Sequence, residues 1–167
     1  MRHNAVNDLI KRALASADIP SMLEPNSLSR DDGKRPDGVT VLPWANGRCM
    51  VWDFTCPDTL AASQLNLSVR SPSAVANDAE SRKSSKYRSL SAMYCFVPVA
   101  VETLGALGEE ASAFFSELGH RIAAVTFEPR SHQFLLQRLS VAVQRGNAAC
   151  VIGTVPASVK LDDICYL

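Results

Sequence analysis

Two aspartates in apolar surroundings are the residues of this chain best suited to chemistry. Asp37 follows Arg35-Pro36, and Asp53 lies inside the segment Val51-Trp52-Asp53-Phe54-Thr55. The flanking residues are mostly β-branched or aromatic, which indicates two strands, and Asn46-Gly47 between them is a strong hairpin signal. Carboxylates on neighbouring strands are hard oxygen ligands that suit Mg²⁺ or Mn²⁺. The pair therefore predicts a divalent-metal site.

The pairing of the two strands decides whether the aspartates can meet. An antiparallel hairpin that turns at residues 45–48 pairs Asp37 with a residue near position 56. Asp53 would then lie two or three places along, within reach if the register puts both side chains on one face. Glu24, at the end of the preceding short strand, is a candidate third carboxylate. The backbone carbonyl of Phe54 is a candidate further ligand.

Two lysines on a later helix offer the positive charge that a metal-dependent hydrolase uses. Lys83 and Lys86 stand three residues apart, so they share one helix face. A lysine ammonium beside the metal can orient or activate the attacking water and offset negative charge. Two acids and a lysine on a small sheet are the chemistry of a phosphodiester nuclease. We therefore treat Asp37, Asp53, Lys83 and Lys86 as candidate catalytic residues.

The same residues also have plain structural interpretations. Asp37 precedes Gly38, which is typical of an aspartate in a turn or cap. A helix rich in Arg, Lys and Ser is usually a solvated surface. Asp53 is harder to explain in this way, because its apolar neighbours turn it partly inward, where an unpaired charge is costly.

The chain pattern predicts an α/β protein with a mixed sheet flanked by helices. The order of elements is α, β, β, β, α, β, followed by two helices. Helices are expected at residues 2–17, 76–90, 109–126 and 131–148, and strands at 21–25, 37–43, 49–55 and 94–101. Residues 26–36 are expected to form turns and residues 57–75 a loop. Pro98 indicates an edge strand or a bulge.

Composition is consistent with one folded domain. The chain has 167 residues, of which 47% are hydrophobic and 20% charged, so global disorder is not expected. Lys and Arg total 17, as do Asp and Glu, and zero net charge argues against a strongly basic, non-specific nucleic-acid binder. The histidines and cysteines do not have zinc-ligand spacing. The five cysteines are odd in number and scattered, so we interpret them as reduced core residues of an intracellular protein. No signal peptide or membrane-length apolar run is evident.

Several short motifs together resemble a known family. They are Arg2-His3-Asn4, Arg35-Pro36-Asp37, Asp53-x-Thr55, Lys83-x-x-Lys86-Tyr87, Phe96-Val97-Pro98, Val101-Glu102-Thr103-Leu104-Gly105, Gln137-Arg138-Leu139-Ser140 and Gln144-Arg145-Gly146-Asn147-Ala148. In this order they resemble the restriction-like endonuclease domain of non-LTR retrotransposons, within the PD-(D/E)XK nuclease superfamily. The resemblance covers most of the chain. Each motif is weak alone, and the set is fairly specific.

The resemblance implies a single restriction-endonuclease-like domain over residues 1–167. Its αβββαβ core would span about residues 2–101, and two extra helices would form a C-terminal extension over about 109–150. The implied activity is Mg²⁺- or Mn²⁺-dependent DNA cleavage, in which nicked target DNA primes reverse transcription. The implied partners are DNA and the reverse transcriptase and RNA of a parent element. No membrane association is expected, because the chain has no apolar run of membrane length. The implied location is the nucleus.

The motif match also implies residue roles. Asp37 and Asp53 would bind the metal, and Lys83 would be a displaced catalytic lysine, with Lys86 as second choice. Thr55 stands where the wider superfamily commonly has this lysine. Arg2 and His3 match the motif of the first helix, where they would touch DNA or, as we favour, fix the helix. Arg82 is a further candidate DNA contact.

The chain lacks the reverse transcriptase domain and zinc knuckle that usually precede this domain. We therefore expect a truncated element, a fragment of a gene model or a host protein derived from one.

Two alternative functions remain open beside the nuclease. As a non-catalytic relic it would bind DNA through a basic surface, formed by Arg2, Lys11, Arg12, Arg82, Lys83, Lys86 and Arg88. As a protein-interaction domain it would expose an apolar stripe within residues 109–148, formed by Phe114, Phe115, Phe134 and Leu135.

Overall fold

A four-stranded mixed sheet with helices on both faces forms the fold. The computed structural model describes residues 2–28 and 35–154. The strands are β1 (Ser21–Leu23), β2 (Gly38–Ala45), β3 (Arg48–Thr55) and β4 (Cys95–Ala100). The helices are α1 (Arg2–Ser16), α2 (Leu65–Ser68), α3 (Ala74–Lys86), α4 (Glu109–Thr126) and α5 (Ser131–Thr154). The predicted α/β class with a mixed sheet is confirmed.

The strands lie in the order β1-β2-β3-β4, with β1, β2 and β3 antiparallel and β4 parallel to β3. The chain crosses from β3 to β4 through α3, as a parallel connection requires. Among the described strands β4 has no second neighbour, so the edge position indicated by Pro98 is confirmed.

The sequence located most elements but missed some of their ends. The helix predicted at 109–126 has those bounds, whereas α3 begins at Ala74 and ends at Lys86, earlier than predicted at both ends. The segment expected to be a loop contains the short helix α2. The last helix reaches Thr154 instead of residue 148. In the part of the chain that the structure describes, no helix combines the length and apolarity needed to cross a membrane.

The β2–β3 hairpin turns where Asn46-Gly47 predicts, but its register differs from the prediction. Asn46 and Gly47 both have positive φ, at 51° and 69°, as a tight hairpin turn requires. Two irregularities then shift the pairing, so that Gly38 lies opposite Trp52. One step further along the strands, Asp37 is level with Asp53. The expected pairing of Asp37 near residue 56 is therefore wrong.

Thr40 and Pro43 explain the shift. Pro43 has no amide hydrogen for the ladder, and β2 bulges on either side of it. The Thr40 hydroxyl donates to the Leu42 carbonyl at 2.8 Å and accepts from the Met50 amide at 2.9 Å. A side chain thus replaces backbone pairing at the bulge. The bulges insert extra residues into β2, and the resulting shift in register places Asp37 opposite Asp53.

The main core lies between one face of the sheet and α1, α4 and α5. Its buried residues include Ile10, Trp52, Phe115 and Leu139, from four different elements. The other face of β4 carries a small cluster in which Ala100 packs with alanines of α3. Helices α1 and α4 pack directly on the sheet, and α5 packs on α1 and α4, so the two C-terminal helices extend the main core.

The predicted apolar stripe is not exposed. Phe114, Phe115 and Leu135 are buried in the main core, and only Phe134 is partly accessible, with 39% of its surface exposed. The apolar surface proposed for a protein-interaction domain is therefore wrong for three of its four residues.

Two buried glutamates connect helix ends on the α3 side. The carboxylate of Glu80, on α3, accepts hydrogen bonds from the amides of Glu110 and Ala111 at the start of α4, at 3.0 and 2.9 Å. Glu102, after β4, accepts from the Ala76 amide at 3.2 Å. Negative charge at a helix N-terminus compensates unpaired amides and the helix dipole. The two glutamates thereby fix α3 relative to β4 and α4.

Candidate active site

Asp53 forms the buried end of an ion pair with α3. It lies on β3 with only 4% of its surface exposed. The Lys83 ammonium is 2.5 Å from its Oδ2 atom. The pair forms because α3 covers the sheet face opposite the main core and projects Lys83 toward β3. The structure thus brings together the second predicted acid and the favoured lysine.

Asp37 lies immediately before β2 and contacts both β3 and α1. Its Oδ2 atom accepts a hydrogen bond from the Phe54 amide at 2.6 Å and is 3.0 Å from Nε2 of His3. Burial raises the pKa of Asp37, and the Asp53 charge raises it further, while the hydrogen bond from Phe54 acts in the opposite direction. The Asp53 carboxylate is therefore close enough to Asp37 to disfavour the ionised form of Asp37.

A hydrogen-bond chain that the sequence did not reveal orients His3. Asn7, buried on α1, accepts from the Trp52 indole at 3.0 Å, and its amide nitrogen lies 3.3 Å from Nδ1 of His3. Because the amide nitrogen can only donate, Nδ1 accepts and Nε2 carries the hydrogen directed to Asp37. The only sequence signal was an asparagine within the apolar stripe of the first helix.

Gly38 is required by the position of the Trp52 ring. A Cβ atom at residue 38 would lie 2.1 Å from the indole. The ring therefore packs directly on the backbone beside Asp37, which places Trp52 within reach of Asn7. The glycine after Asp37 is the first residue of β2, where it has this packing role.

Lys86 lies near the site but has different partners. Its ammonium donates to the Tyr87 hydroxyl at 3.0 Å and lies 4.5 Å from the centre of that ring. Lys86 and Lys83 line a common cavity of about 400 Å³ together with Thr55 and Asp58. The described contacts thus favour Lys83 over Lys86 as the lysine next to the acids.

The other predicted site residues have their own partners. The Glu24 amide donates to the Asp37 carbonyl at 2.7 Å, but the exposed Glu24 carboxylate pairs with Arg35. Arg82 pairs with Asp78 one turn earlier on α3. Arg2 donates to the Asn147 side chain of α5 at 2.5 Å. This contact fits the helix-fixing role expected of Arg2.

A divalent ion matches the donors available beside these acids. Within residues 2–28 and 35–154, His, Cys, Asp and Glu side chains do not form a metal-binding group of three. Mg²⁺ in nucleic-acid enzymes, however, is usually held by one or two carboxylates, with water and substrate phosphate completing its shell. Asp37 and Asp53 fit that need, and a cation between them would relieve their mutual repulsion. The Phe54 carbonyl as a ligand stays a prediction.

Neither the models of known protein families nor the curated proteins give a match to this chain.

Proposed function

We propose that this chain is a metal-dependent DNA endonuclease of the restriction-like type found in non-LTR retrotransposons. The observation that carries the proposal is the approach of Lys83 to Asp53, beside Asp37 at the end of the neighbouring strand. The three residues come from a strand, the start of another strand and a helix. The motif resemblance implies the same three roles from sequence alone.

Asp37 and Asp53 would hold Mg²⁺ or Mn²⁺. Such an ion, when bound, polarises the phosphate, lowers the pKa of a bound water and stabilises developing charge. His3 would keep Asp37 oriented through Nε2, since Asn7 fixes the ring from the other side. Lys83, released from its close contact with Asp53, would orient the attacking water or offset charge on the phosphate.

Phosphodiester cleavage is the reaction best suited to these groups. The acids supply hard oxygen ligands, the lysine supplies a positive charge, and the site holds no buried nucleophilic serine or cysteine among its described contacts. DNA as the substrate, nicking of target DNA, and cooperation with a reverse transcriptase and its RNA are taken from the family resemblance.

Nicking of supercoiled plasmid tests the proposal. We expect the parent chain to nick plasmid with Mg²⁺ or Mn²⁺ and not with EDTA. Asp53→Asn, which keeps the side-chain size, should abolish nicking. Lys83→Ala should lower the rate by about 10²- to 10⁴-fold, the usual contribution of a proton-transfer group. The matched control, Lys86→Ala, removes a lysine from the same helix face and should have a much smaller effect.

Two outcomes would contradict the proposal. Equal nicking by the parent and Asp53→Asn would mean that the activity comes from a contaminant. No nicking by a folded parent protein, with either metal ion, would rule out an active nuclease in this chain.

A non-catalytic DNA-binding module is the second candidate. It is favoured by the pairing of each aspartate with a cationic or histidine side chain, which partly satisfies both carboxylates without a metal. This candidate predicts DNA binding that weakens with salt and no cleavage. It would be supported if the parent and Asp53→Asn bind DNA equally well and neither of them nicks it.

A further inference from the structure

A groove of about 910 Å³ between α1 and α5 is lined by four arginines. Arg2 and Arg12 line its α1 side, and Arg138 and Arg145 line its α5 side. Asp8 is the one acidic residue among the described residues that line it. The chain has zero net charge, so this groove concentrates positive charge that is balanced elsewhere on the molecule.

The charges of these arginines are not neutralised within the described part of the chain. Arg2 donates to the neutral Asn147 side chain, and Arg12 donates to the Asp8 backbone carbonyl at 3.3 Å. None of the four forms an ion pair with a described residue, whereas Arg35, Arg82, Arg121 and Arg130 each pair with a carboxylate. Arg12, Arg138 and Arg145 are exposed. These three exposed guanidinium groups are therefore available to bind an anion.

The spacing of the arginines suits an extended anion. Arg2 and Arg12 are ten residues apart on α1, which corresponds to about 15 Å along the helix. Arg138 and Arg145 are seven residues apart, about two turns, so they share one face of α5. One DNA strand advances about 3.4 Å per nucleotide along the duplex axis, so α1 aligned with that axis would span about four nucleotides between Arg2 and Arg12. Guanidinium groups bind phosphate through paired hydrogen bonds.

We propose that the groove between α1 and α5 binds the phosphodiester backbone of DNA, separately from the two aspartates. The choice of DNA among nucleic acids rests on the proposed function, whereas the phosphate contacts rest on the groove itself. Arg2 is followed by His3, which contacts Asp37, so the groove begins beside the candidate active site. DNA bound along α1 would thus be held next to the acids.

Binding of a short fluorescein-labelled DNA duplex in EDTA tests this proposal without cleavage. Each lost phosphate contact should reduce the slope of log K against log salt by about 0.9. Arg138→Gln/Arg145→Gln should therefore lower the slope by about 1.8, and lower affinity on the order of tenfold per arginine in about 0.1 M salt. Arg12→Gln should have half that change in slope, because it removes one contact.

Lys11→Gln is the matched control. Lys11 is also exposed and adjoins Arg12 on α1, but it does not line the groove. Its replacement should change the slope less than Arg12→Gln does. Unfolding curves should show that all these variants are folded, since the substituted side chains are exposed.

Several results would overturn the proposal. One is a folded Arg138→Gln/Arg145→Gln variant that keeps the DNA affinity and the salt slope of the parent. Another is an equal loss of DNA affinity in Lys11→Gln and Arg12→Gln. Absence of DNA binding by the parent would also overturn it. Competition by polyglutamate as effective as that by unlabelled DNA would assign the groove to an acidic protein. Binding without nicking would support the groove and contradict the nuclease, and nicking with unaltered binding in the variants would do the reverse.

Discussion

At the scale of single residues, the site depends on neighbours that have no obvious chemistry. Asn7 neither binds a metal nor transfers a proton, yet it satisfies the buried Trp52 indole and fixes the ring of His3. Trp52 in turn packs on Gly38, beside Asp37. The orientation of Asp37 therefore depends on a chain of contacts that begins in the core.

We predict that Asn7→Ala lowers the free energy of unfolding by about 1–3 kcal/mol, because it leaves the buried Trp52 N–H without an acceptor. Urea unfolding would measure this loss. His3→Ala is the control, since His3 is more than half exposed and its removal leaves the Trp52 hydrogen bond intact. Stability of Asn7→Ala equal to that of His3→Ala would contradict the assigned role.

At the scale of elements, helix ends are joined by carboxylates that sequence patterns do not reveal. Glu80 is buried and receives two amides of α4, and Gly108 lies so close that a Cβ atom there would be 2.2 Å from the Glu80 carboxyl. Burial raises the pKa of Glu80, while the amides of Ala111 and Glu110 oppose the rise. Burial has the larger effect, so the pKa of Glu80 is raised on balance, and its ionised form is less favoured than that of a solvent-exposed glutamate.

A raised pKa gives Glu80 a definite effect on the pH dependence of stability. The folded chain holds the Glu80 proton more tightly than the unfolded chain, so protonation of Glu80 stabilises the folded state. This stabilisation is fully present below the ordinary glutamate pKa of 4.5, and it is lost as pH rises through the pKa of Glu80 in the folded chain. We predict that the stability of the parent, measured relative to Glu80→Gln, declines over this window. Urea unfolding at a series of pH values would show it. A constant difference between the two proteins at all pH values would refute the assignment.

At the scale of the whole molecule, metal binding should stabilise the fold. A ligand that binds only the folded state adds free energy that grows with the logarithm of its concentration. At an ion concentration about 100-fold above Kd, Mg²⁺ or Mn²⁺ should raise Tm by about 5–10 °C. The rise should disappear in Asp37→Asn and Asp53→Asn and persist in Lys86→Ala. The same rise in all four proteins would place the ion elsewhere.

The sequence predicted the elements better than their tertiary relations. Periodicity and the Asn46-Gly47 signal located α1, α4 and the hairpin, because these depend on local patterns. The sequence also suggested that Lys83 could lie near Asp53, because an acid on a strand and a lysine on a later helix are suited to one site. The role of Asn7 depends on how α1 packs on Trp52, and the role of Glu80 depends on how α3 packs on α4. Arg12 and Arg145 line one groove because α1 packs on α5. A single sequence does not contain that information in its local pattern.

The bulged hairpin also affects how related chains should be compared. Extra residues in β2 are accommodated by the hydroxyl of Thr40 and by Pro43, so the number of residues between two acids does not by itself fix their separation in space. A relative without the bulges could keep its acids level with fewer residues between them. Motif searches that demand a constant gap between the acids would overlook such a relative, whereas alignments that permit insertions in this strand would retain it.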